Sequence, residues 1–191
     1  MKPSNRAASV AAGHTAAATT QWNNTTGSVY ADILVGQERI RRSIQRYPNY
    51  IFIPSRVAQY VAQNTTVLDL IKYTHNNLLE GPGGSWLLPP VLWGMKVVVM
   101  MAVQNTANLA QAETLADIWG DTVILAYINP TPGLKQISWG YTFQARPWTT
   151  KRWREEARSA DLVEVSTIRC AKVICTSAAY TITDCLSAAT E

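Results

Sequence analysis

The 191-residue sequence predicts an α+β fold, and three observations carry that expectation. A stretch near the start repeats apolar residues at helical spacing, two nearly unbroken apolar runs in the middle read as buried strands, and the last third alternates like long antiparallel strands. The hydrophobic share of 47% against 16% charged residues is that of a chain with a core of its own, and the length allows one or two domains.

Residues 1–27 are rich in Ala, Thr, Ser and Asn, and their composition predicts a flexible arm. From Ser28, a helix-capping residue type, Tyr30, Ile33, Leu34, Ile40 and Ile44 recur at helical spacing and predict a long amphipathic helix over 28–47. Its basic end, Arg41, Arg42 and Arg46, suits the negative pole of the helix dipole. Pro48-Asn49 breaks it, Tyr50 to Ile53 reads as a short strand, and Pro54-Ser55 opens a second helix with Val57, Tyr60 and Val61 on one face. Val67, Leu68 and Ile71 extend the helical pattern.

Residues 76–90 read as a contact loop, with Gly81, Gly83 and Gly84 giving freedom, Pro82 preventing regular pairing and Trp86 offering apolar surface. Its GPGG is not followed by the Gly-Lys-Ser/Thr of a phosphate loop. Met95 to Val103 reads as a central strand covered on both faces, Gln111 to Ile118 as a short helix, and Asp121 to Asn129 as a second buried strand. Trp119, Gly120 and Asp121 form a corner between those two, and Pro130, Pro132 and Gly133 end the strand in a turn. From Ser138 onward, alternating runs joined by polar turns predict long antiparallel strands apart from the preceding layer, returning towards the first helix.

The inventory for chemistry is thin. The two histidines, His14 and His75, have no HExxH, Gly-x-Ser-x-Gly or paired Cys around them, so no catalytic residue, cofactor or metal ligand is expected. Asp117 and Asp121 could serve a two-carboxylate site, or cap the corner by accepting backbone hydrogen bonds; the second reading is the simpler. Cys170, Cys175 and Cys185 are an odd number without CxxC spacing, which points to buried reduced thiols. The net charge of +4 permits contact with nucleic acid, and Arg39, Arg41, Arg42, Arg46, Lys151, Arg152 and Arg154 are the residues that would face it or form salt bridges. Alternation sends Arg152 and Arg154 to one strand face and Trp153 to the other, while Glu155 and Glu156 offset their field. With no run of 18 apolar residues and no secretory leader, a membrane partner is not expected and synthesis is placed in the cytoplasm.

The order of pieces is informative beyond any one residue. "AETLADIWGDTVILAYINP" at 112–130, "VYADILVGQERI" at 29–40, "YPNYIFIPSRVAQYVAQN" at 47–64, "VLDLIKYT" at 67–74, "SWGYTFQA" at 138–145 and "WREEARSADLVEVSTIRCAKVICTSAAYTI" at 153–182 together resemble tailed-phage major capsid proteins with the HK97-type shell fold. The resemblance covers about residues 21–185. It implies a flexible arm at 1–27, a spine helix at 28–47 in a β-rich peripheral domain, an α/β axial domain at 48–145, and a β-rich return into the peripheral domain at 146–191.

The function it implies is a structural, non-enzymatic subunit of an icosahedral capsid in the virion, made in the bacterial host cytoplasm and enclosing double-stranded DNA without sequence preference. Its partners would be further copies in pentamers and hexamers, reached through loops at 76–90 (Gly81, Pro82, Gly83, Gly84, Trp86) and 129–137 (Pro130, Pro132, Gly133), with a scaffold, a portal or a separate N-terminal capsid part. The family's extended hairpin ahead of the spine helix has no counterpart in the 27 preceding residues, so a C-terminal piece, a prophage remnant or half of a split gene is expected. An encapsulin-type shell around protein cargo, a nucleic-acid-binding module and an enzyme at Asp117 and Asp121 stand as alternatives.

Overall fold

The computed structural model describes residues 10–24, 27–72, 88–109, 111–133 and 135–187. Their elements run β1 (Thr15–Ala17), α1 (Val29–Ile44), β2 (Tyr50–Pro54), α2 (Ser55–Gln63), α3 (Thr65–Lys72), β3 (Val91–Leu92), β4 (Met95–Met100), β5 (Val103–Asn105), β6 (Leu115–Asp117), β7 (Val123–Ala126), β8 (Gly140–Glu155), β9 (Ala160–Val173) and β10 (Ala179–Thr183).

The core is a mixed six-stranded sheet in the order β1-β10-β7-β2-β4-β3, with β1 parallel to β10, β2 parallel to β4, and the other neighbours antiparallel. β7 lies near its centre because all four of its residues are apolar and buried. Along it, Val123 and Leu125 join Ile51, Ile53, Val97 and Ile182 in a large cluster beneath α1 and α2. On the opposite face, Ala126 and Ala179 meet Val10, Phe52 and Trp139 in a smaller one. Period-two alternation thus feeds two cores from one sheet.

α1 buries Val29, Asp32, Ile33, Gly36, Ile40 and Ile44, a narrow stripe along the helix. It approaches the sheet closely at Gly36, where an added Cβ would lie 2.6 Å from Leu125 Cδ1 and 2.8 Å from Tyr180 Cδ1. Each fully buried aliphatic side chain in this interface contributes roughly 2 kcal/mol.

The structure corrects several expectations. A long spine helix organising the chain is absent among the described residues: α1 has 16 residues, the other two α-helices are shorter, and strands dominate around a mixed sheet. The HK97-type layout expected from the resemblance is thereby overturned, because the mass of the chain lies in strand pairing and the helices only cover one sheet face. On α1, Tyr30 and Leu34 are exposed, and Asp32 and Gly36 occupy the buried stripe instead. Gln111 to Ile118 holds no helix; its centre is β6, paired antiparallel with β5. There, Asn105 Oδ1 accepts the N–H groups of Ala107 and Thr114 and closes the connecting loop as a strand turn. The run from Met95 to Val103 splits into β4 and β5 at Met101-Ala102, so it is not one central strand. Residues 10–24, expected within a flexible arm, pack on the sheet, with Val10, His14 and Trp22 buried.

Candidate assembly surface

After β7 the chain leaves the core. β8 and β9 pair only with each other, over a register from Gly140↔Val173 to Glu155↔Ala160. Their aromatic, β-branched and alternating residues favour extended backbone. The ribbon turns at Glu156–Arg158, where Ser159 takes φ +48° and donates its N–H to Glu156 O at 3.2 Å.

No side chain of β8 or β9 is buried. Phe143, Trp148, Trp153, Val163, Val165, Ile168 and Val173 are all exposed, Trp148 at 62% and Val163 at 60%. Strand alternation puts Phe143, Trp153 and Ile168 on one face of the ribbon and Val163, Val165 and Val173 on the other, so both faces expose apolar side chains. Two strands without a third strand or a helix are marginally stable in water. What holds the ribbon locally is weak. Arg152 reaches Asp161 at 3.3 Å and Arg154 reaches Asp161 at 3.8 Å and Glu156 at 3.2 Å. Exposed pairs of this kind contribute under about 1 kcal/mol each. Arg169 stacks over Trp148, 4.7 Å from the ring centroid.

The base of the ribbon is fixed at Trp139. Its N–H donates to Tyr127 O at 2.9 Å, its carbonyl accepts from Ile174 and Cys175 at 2.8 and 3.3 Å, and its ring lies 6.2 Å from Phe52. Tyr141 Oη donates to Asn129 O at 3.3 Å just beyond. These bonds anchor a two-edged arm that is exposed to solvent.

A groove of about 630 Å³ opens beside α1, lined by Leu34, Val35, Glu38, Arg39, Arg42, Gly13 and Tyr180. Glu38 accepts from Arg41 at 2.6 and 2.7 Å and from Arg42 at 2.9 Å, and these bonds hold its carboxyl well below the usual carboxylate range, at about 2.

Comparison with solved structures places this architecture. The fold resembles that of a phage-related protein. That protein, from Bordetella bronchiseptica, superposes with a TM-score of 0.72 at 20% identity over 93% of this chain. The chain spans 58% of the length of that phage-related protein. No family model matches the sequence, and no curated protein matches it.

On that fold, the residues singled out from sequence fall into separate places. Trp119, Gly120 and Asp121 do form a turn, with Gly120 at φ +60°, but it joins the surface strand β6 to the buried β7. Asp117 is exposed in β6. Pro130, Pro132 and Gly133 are exposed in the loop after β7, on the side from which the ribbon departs. Gly81, Pro82, Gly83, Gly84, Trp86 and His75 lie outside the described residues. The basic residues do not form one stripe. Arg41 and Arg42 are engaged with Glu38, Arg46 bonds and stacks on Tyr127, Arg152 and Arg154 meet at Asp161, Arg39 lines the groove, and Lys151 stands opposite Glu164 in the ribbon. Of the cysteines only Cys185 is buried, while Cys175 is half-buried and Cys170 is exposed on β9, which corrects the expectation of three buried thiols.

Two polar hubs escaped the sequence reading. Asp32 accepts Thr19 Oγ1 at 2.7 Å and the Thr19 N–H at 3.3 Å on one oxygen, and Trp22 Nε1 at 2.9 Å on the other. His14 sits between Ala179 O at 3.0 Å and Ser43 Oγ at 2.9 Å. Both tie the segment before α1 to the core, and both looked like isolated polar residues because their partners are 10 to 165 positions away.

Proposed function

We propose that this chain is a structural subunit of a phage or prophage capsid, a particle enclosing double-stranded DNA, and that it catalyses no reaction. The β8–β9 ribbon carries the reading: an arm whose apolar residues stay exposed among the described residues gains stability from neighbours. The likeness of fold to a phage-related protein supports the same direction. In a closed shell many modest contacts repeat by symmetry, so a ribbon held by weak pairs of its own suffices as one of them. A net charge of +4 suits a surface near packaged DNA without sequence readout. The partners of this role are further copies of the chain, together with scaffold, portal or a separate capsid part, and its location is the virion.

The test is light scattering after size exclusion, with negative-stain images of each peak. Rings of five or six, or shells, are the expected outcome. A chain that remains monomeric at every concentration up to the solubility limit refutes the proposal.

A further inference from the structure

The two edges of the ribbon are unlike in a way that identifies which of them mates. β8 carries several devices that blunt a strand edge. Pro147 lacks a donor N–H, the register slips between Gln144 and Arg146 and again between Arg146 and Thr149, and the surplus residues are on β8. Its charged side chains are Arg146, Lys151, Arg152 and Arg154 against Glu155 alone, so a second β8 laid beside it meets repulsion.

β9 has none of these guards. It contains no Pro and no Gly, its residues run without a surplus, and its charges balance, with Asp161 and Glu164 in the first half and Arg169 and Lys172 in the second. An acidic half followed by a basic half is self-complementary when the strand meets its own copy antiparallel.

We propose that the outer edge of β9 pairs antiparallel with β9 of a second copy about a two-fold axis, joining two ribbons into a four-stranded sheet. The inference rests on the shell reading and names its partner face. A two-fold axis normal to the sheet pairs residues of equal parity; a register centred on Val165 sets Asp161 opposite Arg169, but Asp161 already meets Arg152 and Arg154, whereas one centred on Ile168 uses charges that are not engaged. It sets Glu164 opposite Lys172 of the second copy, twice by symmetry, with Val163 opposite Val173 and Val165 opposite Ala171. Neither Glu164 nor Lys172 has an ion pair among the described residues, so both are available. Centring on Arg169 opposes two guanidinium groups, and centring on Thr167 sets Leu162 against Lys172 and leaves both charges unmatched. Four strands also lift the ribbon above the two-strand limit of marginal stability.

The experiment uses the full chain in two arms. In the first, Glu164→Lys and Lys172→Glu are made singly and together, and the subunit association constant is followed by sedimentation velocity, with circular dichroism as the check on folding. Each single reversal is expected to weaken association about tenfold, and the double reversal to restore it. In the second, Ile168→Cys in a Cys170→Ser background is oxidised mildly; a disulfide-linked dimer is expected, while Arg152→Cys on β8 in the same background gives none. Assemblies that ignore both reversals and form no link at position 168 overturn the β9 pairing and leave the shell reading standing. A wild-type chain that is monomeric throughout and forms no link overturns both.

Discussion

Asp32 shows how much a single buried carboxylate organises here. It gathers three donors from residues 19 and 22 onto α1 and is only 8% exposed. Asp32→Ala strands the Trp22 indole N–H and both Thr19 donors, and is expected to cost about 3 kcal/mol, read as a lower urea midpoint. Thr19→Val, which removes only one of the donors, should cost about 1 kcal/mol. At Glu38 the effect is electrostatic. Hydrogen bonds from Arg41 and then Arg42 lower its pKa from 4.5 to about 2, so the stabilisation is present above pH 4.5 and fades as the pH falls towards 2. The group is solvent-accessible, so Glu38→Gln should remove a small, salt-sensitive stabilisation above pH 4.5 in thermal melts and match the wild type as the pH nears 2. Burial pushes the Cys185 thiol up from 9.0 to about 12, so its stabilising neutral form is kept below pH 9 and lost as the pH rises towards 12. Alkylation at pH 8 followed by peptide mapping should modify exposed Cys170 first and Cys185 only on unfolding. Modification of Cys185 in the native protein at the rate of Cys170 contradicts this packing.

At the scale of elements, α1 depends on closeness to the sheet. Gly36→Ala adds helix propensity of about 1 kcal/mol, yet its Cβ enters the space of Leu125 and Tyr180. The clash outweighs the gain in propensity, and a net loss of about 1 to 2 kcal/mol is expected in denaturant titration. A neutral or stabilised variant would show that α1 can shift away from the sheet. The buried stripe of α1 was only partly visible in the sequence. Ile33, Ile40 and Ile44 announced it, whereas Tyr30 and Leu34 point to solvent and a Gly and an Asp take core positions. Hydrophobicity alone ranks Tyr30 and Leu34 above Asp32 and Gly36. Only the narrow gap over β7 and β10, and the donors that meet Asp32, reverse that ranking. β6 was misread for a related reason, since Leu115-Ala116-Asp117 has helical propensity and pairs with β5 through contacts that no local pattern records.

For the whole molecule, core and ribbon separate energetically as well as topologically. The ends of the ribbon meet at Trp139 O and Ile174 N, 2.8 Å apart, so a short Gly-Ser turn can replace residues 140–173 without stretching the socket. The excised protein is expected to unfold within about 1 kcal/mol of the full chain, because the ribbon buries no side chain, and to lose self-association. A collapse of stability on excision would mean that the ribbon supports the sheet, and the assembly reading would lose its main observation. The sequence by itself determined the strands β2 and β7, the helices α1 and α2, and the long alternating strands β8 and β9, since local periodicity and breakers such as Pro48 and Pro54 are complete within a few residues. Only the tertiary structure decided that residues 10–24 belong to the core, that no spine helix governs the chain, and that β10 returns to the sheet between β1 and β7. Those outcomes depend on pairings between distant segments, such as Thr15 with Thr181, whose free energy comes from shared burial that no single segment contains.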